Sequence, residues 1–285
     1  MNATSQRVCA SMGFVAAICW VMGLAVFAKW VPPISPIDTA EQVAERYASN
    51  VNSIRLGALF VGLGGVLYGP WVAAITVQMK RIEGRYSPMA YTQLALGTAF
   101  ILVFVIPVVI WNAAAFRPMA NVEITQRLND LGWLMFLNPG LVLAIQGFSF
   151  AFAVLADKSA QPVFPRWLAY LNIFVMIDVQ GAVLNPFFKA GPFAWDGFFS
   201  WWVAVPAFSI WMVTMSVCLL RAISQHEAEH TASSAPDDQP LPATTLNAVS
   251  AEDSADHPHT ASLPPRGVRT DRPDFTAQHT PEGVR

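Results

Sequence analysis

Asp178 is the residue whose type and setting point most directly to chemistry, because it places a carboxylate in the middle of an apolar stretch that runs from Trp167 to Phe187. An ionised carboxylate at mid-bilayer costs at least ~2.5–3.5 kcal/mol on insertion scales, and no Lys or Arg lies in the interior of any apolar stretch to offset that cost. Such a group is either protonated, turned toward a hydrated cavity, or met by a cationic ligand. Gly181, Ala182 and Asn185 follow at i+3, i+4 and i+7, so a regular α-helix would gather Asp178 and Asn185 on one small, polar face turned toward neighbouring helices. In the preceding stretch, Asn138 and Gln146 are the side chains best suited to answer that face. Asn138-Pro139-Gly140 also interrupts any helix, since proline removes a hydrogen bond and frees carbonyls. Asp178, Asn185, Asn138 and Gln146 thus form a candidate binding site, against the plainer reading of a protonated Asp held by an amide across the bundle.

A second unusual feature is the loop from Pro186 to Ser200, which is too aromatic to be a solvated turn. Gly191-Pro192 and Asp196-Gly197 are turn dipeptides that would fold Phe188, Phe193 and Trp195 back into the membrane interface. The loop then either anchors the last apolar stretch or covers the mouth of a cavity, with Lys189 and Asp196 fixing the polar end of an amphipathic molecule.

Other chemistries are excluded by what is missing. All five histidines, His226, His230, His257, His259 and His279, lie beyond the last apolar stretch, which removes haem, di-iron and zinc-protease arrangements from it. The three cysteines, Cys9, Cys19 and Cys218, sit in apolar runs with no Cys-x-x-Cys, so neither a disulfide framework nor a thiolate site is indicated. No nucleophile elbow, paired aspartates or phosphate loop is present. The expectation is no catalytic residue, metal or cofactor. Two function classes remain. One is a small transporter or membrane-embedded binder of an apolar, amphipathic or cationic small molecule. The other is a non-catalytic scaffold or accessory subunit of a larger complex.

The elements that must position these residues follow from composition. Of the 285 residues, 54% are hydrophobic and only 13% charged, about half the charged fraction of an ordinary soluble domain. A net charge of -2 with no basic stripe argues against nucleic acid. Six stretches are long enough to cross a hydrocarbon core of ~30 Å at ~1.5 Å per residue: 8–29, 54–78, 91–115, 131–156, 167–187 and 199–220. The fold expected is therefore an all-α, six-transmembrane-helix bundle over residues 1–221, with residues 222–285, rich in proline and poor in aromatics, a disordered cytoplasmic tail after a short helical extension to about His230.

Lys and Arg near the stretch ends number seven on the side of the N-terminus and six on the other. The balance tips on Lys80-Arg81-Ile82-Glu83-Gly84-Arg85, which puts both termini in the cytoplasm and the protein in the plasma membrane, with Trp30, Trp111, Trp133, Trp195, Trp201 and Trp202 at the outer face. In the first outer loop Asp38 and Glu41 have capping-box spacing, and Val43, Ala44, Tyr47 and Val51 recur at helical intervals, predicting a short amphipathic helix; Val122 to Asp130 reads the same way. Ala58, Gly62, Gly65, Gly69 and Ala73 form a small-residue stripe on the second stretch, a seam for another helix of the chain or, through Gly62, Gly65 and Gly69, for a second copy or a membrane partner.

Overall fold

The computed structural model describes residues 2–234, which are helical with no strand among them. Most of the expected tail lies outside these residues. Six apolar helices are long enough to cross a membrane: Ala3–Phe27, Val51–Glu83, Pro88–Phe116, Val122–Ala156, Arg166–Phe187 and Phe198–Thr231, here spans 1 to 6. They fit a multi-pass membrane protein.

Five of the six depart from regular α-helix. Span 1 joins α1 (Ala3–Val21) to a π-helical turn, Met22–Phe27. The next helix, α2 (Ala40–Ser49), is the short amphipathic helix expected of the first loop. Its cap lies one residue later than the sequence suggested: the Thr39 hydroxyl accepts from the Gln42 N–H while the Gln42 side chain accepts from the Thr39 N–H. Asp38 is instead held in a turn, donating its N–H to the Ser35 carbonyl and accepting at its own carbonyl from Gln126.

Span 2 is the single helix α3 (Val51–Glu83), and span 3 divides at Ile101 into α4 (Pro88–Phe100) and α5 (Leu102–Phe116). Span 4 divides at Asn138–Pro139 into α6 (Val122–Leu137) and α7 (Gly140–Ala156). Val122 to Asp130 is therefore no separate surface helix but the first half of α6, because the only helix-breaking pair in this region comes eight residues later, at Asn138–Pro139. Span 5 runs from α8 (Arg166–Asp178) into a 3-10 helix, Val179–Phe187. The tighter 3-10 form rises ~2.0 Å per residue, so nine residues reach ~18 Å and let this short span cross. Span 6 opens with a π-helical turn, Phe198–Val203, and continues as α9 (Ala204–Ser234).

α9 thus runs well past Arg221, where the membrane domain was expected to end. Arg7 binds Glu227 at 2.7 Å and Arg81 binds Glu229 at 2.8 Å, which fastens this extension to spans 1 and 2. Exposed pairs of this kind contribute ~0–1 kcal/mol each, so they orient the extension more than they stabilise it. At the same end Glu83 caps α4 by accepting from the Met89 and Ala90 N–H groups. Asp157 closes the turn after span 4, accepting from the N–H and hydroxyl of Ser159 and the N–H of Val163. Burial works to raise the Asp157 pKa, but these donors and the Arg166 guanidinium outweigh it and hold the carboxyl below its ordinary value.

Small residues decide how closely the spans approach. Gly65 lies on the Phe104 ring, Gly62 against Val108 and Gly69 near Ile101, so the small-residue stripe of span 2 is filled by span 3 of the same chain. The tightest crossing is elsewhere: Gly23 of span 1 and Gly57 of span 2 meet backbone to backbone, and Gly64 sits under the Trp20 indole. Nearer the N-terminal end, Gly13 receives the Ser216 hydroxyl and the Trp71 indole, and Trp71 donates to Ser216 at 2.9 Å.

Candidate functional site

Spans 1 and 6 meet at Gly13 and Ser216, and toward the opposite, tryptophan-rich end residues of both line a cavity of 470 Å³. That is within the ~300–1,000 Å³ typical of small-molecule sites. Spans 1, 3, 4, 5 and 6 all contribute walls. The cavity sits where those spans leave α geometry: beside the π turns of spans 1 and 6, the break at Ile101, the Pro139–Gly140 break and the 3-10 helix. Irregular backbone at membrane depth persists only where protein or a cavity surrounds it, and π segments concentrate at functional sites. The coincidence of five such departures around one cavity marks it as the candidate site.

Its chemistry is apolar. Trp20 stacks on Phe104 with ring centroids 4.4 Å apart and leans on Phe208 at 5.6 Å, giving an aromatic wall, and aliphatic side chains supply most of the rest. The two hydroxyls on the wall are already used: Ser200 donates to the Phe193 carbonyl and Ser209 to that of Val205. Ile18, Val21 and Val213 belong to the wall yet are 62%, 58% and 41% exposed, so the cavity opens sideways between spans 1 and 6.

The expected site residues are only partly brought together. Asn138 donates to the Val183 carbonyl at 2.9 Å, and Gln180 to that of Gly140 at 3.2 Å, so the break in span 4 is fastened to the 3-10 helix. Gln146 faces away from span 5, accepting from the Tyr68 hydroxyl at 3.1 Å beside Gly97. Asp178 and Asn185 are separated by the change of helix type. In a 3-10 helix residues three apart share a face, so Val179, Ala182 and Asn185 form the buried row. Asp178 falls on a different row, with Gly181, Leu184 and Phe187; it is half-buried, and its Oδ2 is buried without a partner among the described residues. Val179 and Ala182 line the cavity; Asp178, Asn185, Asn138 and Gln146 do not.

The aromatic loop is likewise committed elsewhere. Trp195 is buried and donates to the Ile34 carbonyl at 2.7 Å, while Asp196 accepts from the Ser35 hydroxyl at 2.7 Å, so the loop is tied to the first loop. Phe193 packs between Phe188 and Phe199, and none of the expected loop residues Phe188, Phe193, Trp195 and Asp196 forms the cavity wall.

No family model, curated protein or solved structure matches the chain. Its own side chains therefore carry the functional reading, and those that form the cavity, Trp20, Phe104, Trp201 and Phe208 among them, gave no signal in the sequence. An aromatic residue in an apolar helix looks the same whether it faces lipid, a neighbouring helix or a cavity. The helix interruptions were the readable signal, and Pro139-Gly140 supplies part of the wall itself.

Proposed function

We propose that the protein is a multi-pass membrane protein that binds an apolar molecule drawn from the bilayer through the gap between spans 1 and 6. The observation that carries this reading is the cavity, hydrocarbon on nearly every wall and edged by exposed aliphatic side chains. Of the two classes that composition leaves, a small transporter or membrane-embedded binder and a non-catalytic scaffold or accessory subunit, the cavity supports the first. The Lys80–Arg85 cluster supports an orientation with both ends of the described chain in the cytoplasm.

A diazirine-bearing alkane in nanodiscs tests the reading. Photolysis is expected to label peptides of the cavity wall, around Trp20–Leu24, Val103–Phe104 and Trp201–Phe208. Ala204→Phe, which projects a ring from a buried wall position, should cut that labelling about tenfold, a loss of roughly 1.4 kcal/mol in occupancy. Labelling spread evenly over the lipid-facing residues and unchanged by Ala204→Phe would refute it.

The unpartnered Oδ2 of Asp178 supports a second reading, with the ligand seated at the carboxylate and neighbouring amides at the seam of spans 4 and 5. The variants Asp178→Asn and Asp178→Leu separate the two. On the cavity reading both keep the wall labelling, and Leu leaves stability unchanged or raised, since no hydrogen bond to another residue is lost. On the Asp178 reading Leu removes the labelling.

A further inference from the structure

Eight buried side-chain nitrogen and oxygen atoms lack a hydrogen-bond partner among the described residues, and four of them fall within residues 178–185: Asp178 Oδ2, Gln180 Oε1, and both Asn185 Oδ1 and Asn185 Nδ2. Asn185 is the sharpest case, because it is only 2% exposed and its amide leaves a donor and an acceptor unmade. An amide buried without hydrogen bonds costs several kcal/mol in surroundings that offer none, so a group that can both give and take a proton bond is wanted there. Its position is set by the 3-10 repeat. Val179 and Ala182 line the cavity, and Asn185, just beyond the wall, follows on the same buried row, one turn or ~6 Å further toward the tryptophan-rich end. Gln180, itself outside the wall, donates from Nε2 to the carbonyl of the wall residue Gly140 and leaves its Oε1 without a partner among the described residues.

Resting on the cavity reading above, we infer that the ligand is an uncharged lipid alcohol, its apolar body in the cavity and its hydroxyl at Asn185. A hydrocarbon gains nothing by leaving lipid for an equally apolar cavity, so selection has to come from shape and from the polar end. A hydroxyl accepts from Asn185 Nδ2 while donating to Oδ1, and satisfies both orphaned atoms. A carboxylate offers no donor, and no Lys or Arg lines the cavity to balance its charge, while Asp178 stands at the head of the same helix.

The test compares three diazirine probes of equal chain length, hexadecane, hexadecanol and palmitate, on the full chain in phosphatidylcholine nanodiscs. The alcohol is expected to label the cavity-wall peptides about tenfold more than the alkane, with excess unlabelled hexadecanol suppressing the signal. In Asn185→Leu the alcohol should fall to the level of the alkane, with alkane labelling unchanged. Equal labelling by alcohol and alkane on the unaltered protein overturns the inference while leaving the cavity reading standing, and needs no variant to fold. Palmitate matching the alcohol overturns the requirement for a neutral head. Absence of wall labelling by all three removes the cavity reading itself.

Discussion

Gly57→Ala is expected to cost about 3 kcal/mol or more in stability, enough to prevent most of the chain from reaching its native packing. A β-carbon at Gly57 would lie 2.6 Å from the Gly23 carbonyl oxygen and 2.7 Å from the Ala28 backbone nitrogen. Neither is the tip of a side chain that can turn away, and moving either means moving span 1. Span 1 in turn carries Trp20, whose indole donates to the Val61 carbonyl at 3.2 Å and forms the aromatic wall of the cavity. The control is Gly62→Ala on the same helix, where the added carbon meets Val108 methyl groups at 3.4–3.5 Å, ordinary contact. That variant should stay within about 0.5 kcal/mol of the parent. Titration of the purified protein from mild detergent into SDS measures both. If Gly57→Ala unfolds at the same SDS fraction as Gly62→Ala, spans 1 and 2 do not cross where the structure has them.

That pair of glycines also shows how far the sequence could be read. Length and apolarity were enough for six helices, because the cost of an unmade backbone hydrogen bond in lipid leaves the chain few alternatives. Small residues likewise mark close contact, but the stripe chosen from sequence, Gly62, Gly65 and Gly69, meets the side chains of span 3, while the backbone-to-backbone crossing uses Gly57, outside that stripe. Spacing gives a face and not the partner. The site was less legible still. Projecting Asp178 and Asn185 onto a common face assumed 3.6 residues per turn, and the 3-10 helix that begins at Val179 changes the repeat to three. One altered repeat puts Asp178 and Asn185 on different rows, with Asn185 on the buried one. Pro186 and Gly181 weaken regular α-helix here, yet Pro70 lies inside span 2 without ending it, so proline alone does not foretell the change.

Trp133→Ala is expected to produce the second large loss, about 3 kcal/mol, whereas Trp133→Phe should be nearly neutral. Trp133 is fully buried among Trp30, Trp111, Phe136 and Trp201, with ring centroids 5.3, 5.2, 6.2 and 5.6 Å away. These rings come from the loop after span 1, from span 3, from span 4 itself and from the π turn that opens span 6, so one side chain joins three spans and a loop at the tryptophan-rich end. Within a membrane protein little of its value is hydrophobic transfer; what alanine forfeits is ring contact, which places the cost toward the low end of the range for aromatic deletions. Phenylalanine keeps most of that contact, and since Trp133 Nε1 has no hydrogen-bond partner among the described residues, removing it breaks no bond. Trp195→Phe is the contrast, because there the indole N–H is spent on the Ile34 carbonyl, and its loss should cost about 1 kcal/mol. SDS titration of the three variants distinguishes them, and a Trp133→Phe loss as large as that of alanine would mean the indole nitrogen is bonded after all. Alanine at 133 also removes the support behind Trp201 and Phe136, both of which face the cavity. The space it vacates adjoins the site, so the surviving folded fraction of Trp133→Ala should accept a longer alkane probe than the unaltered protein does.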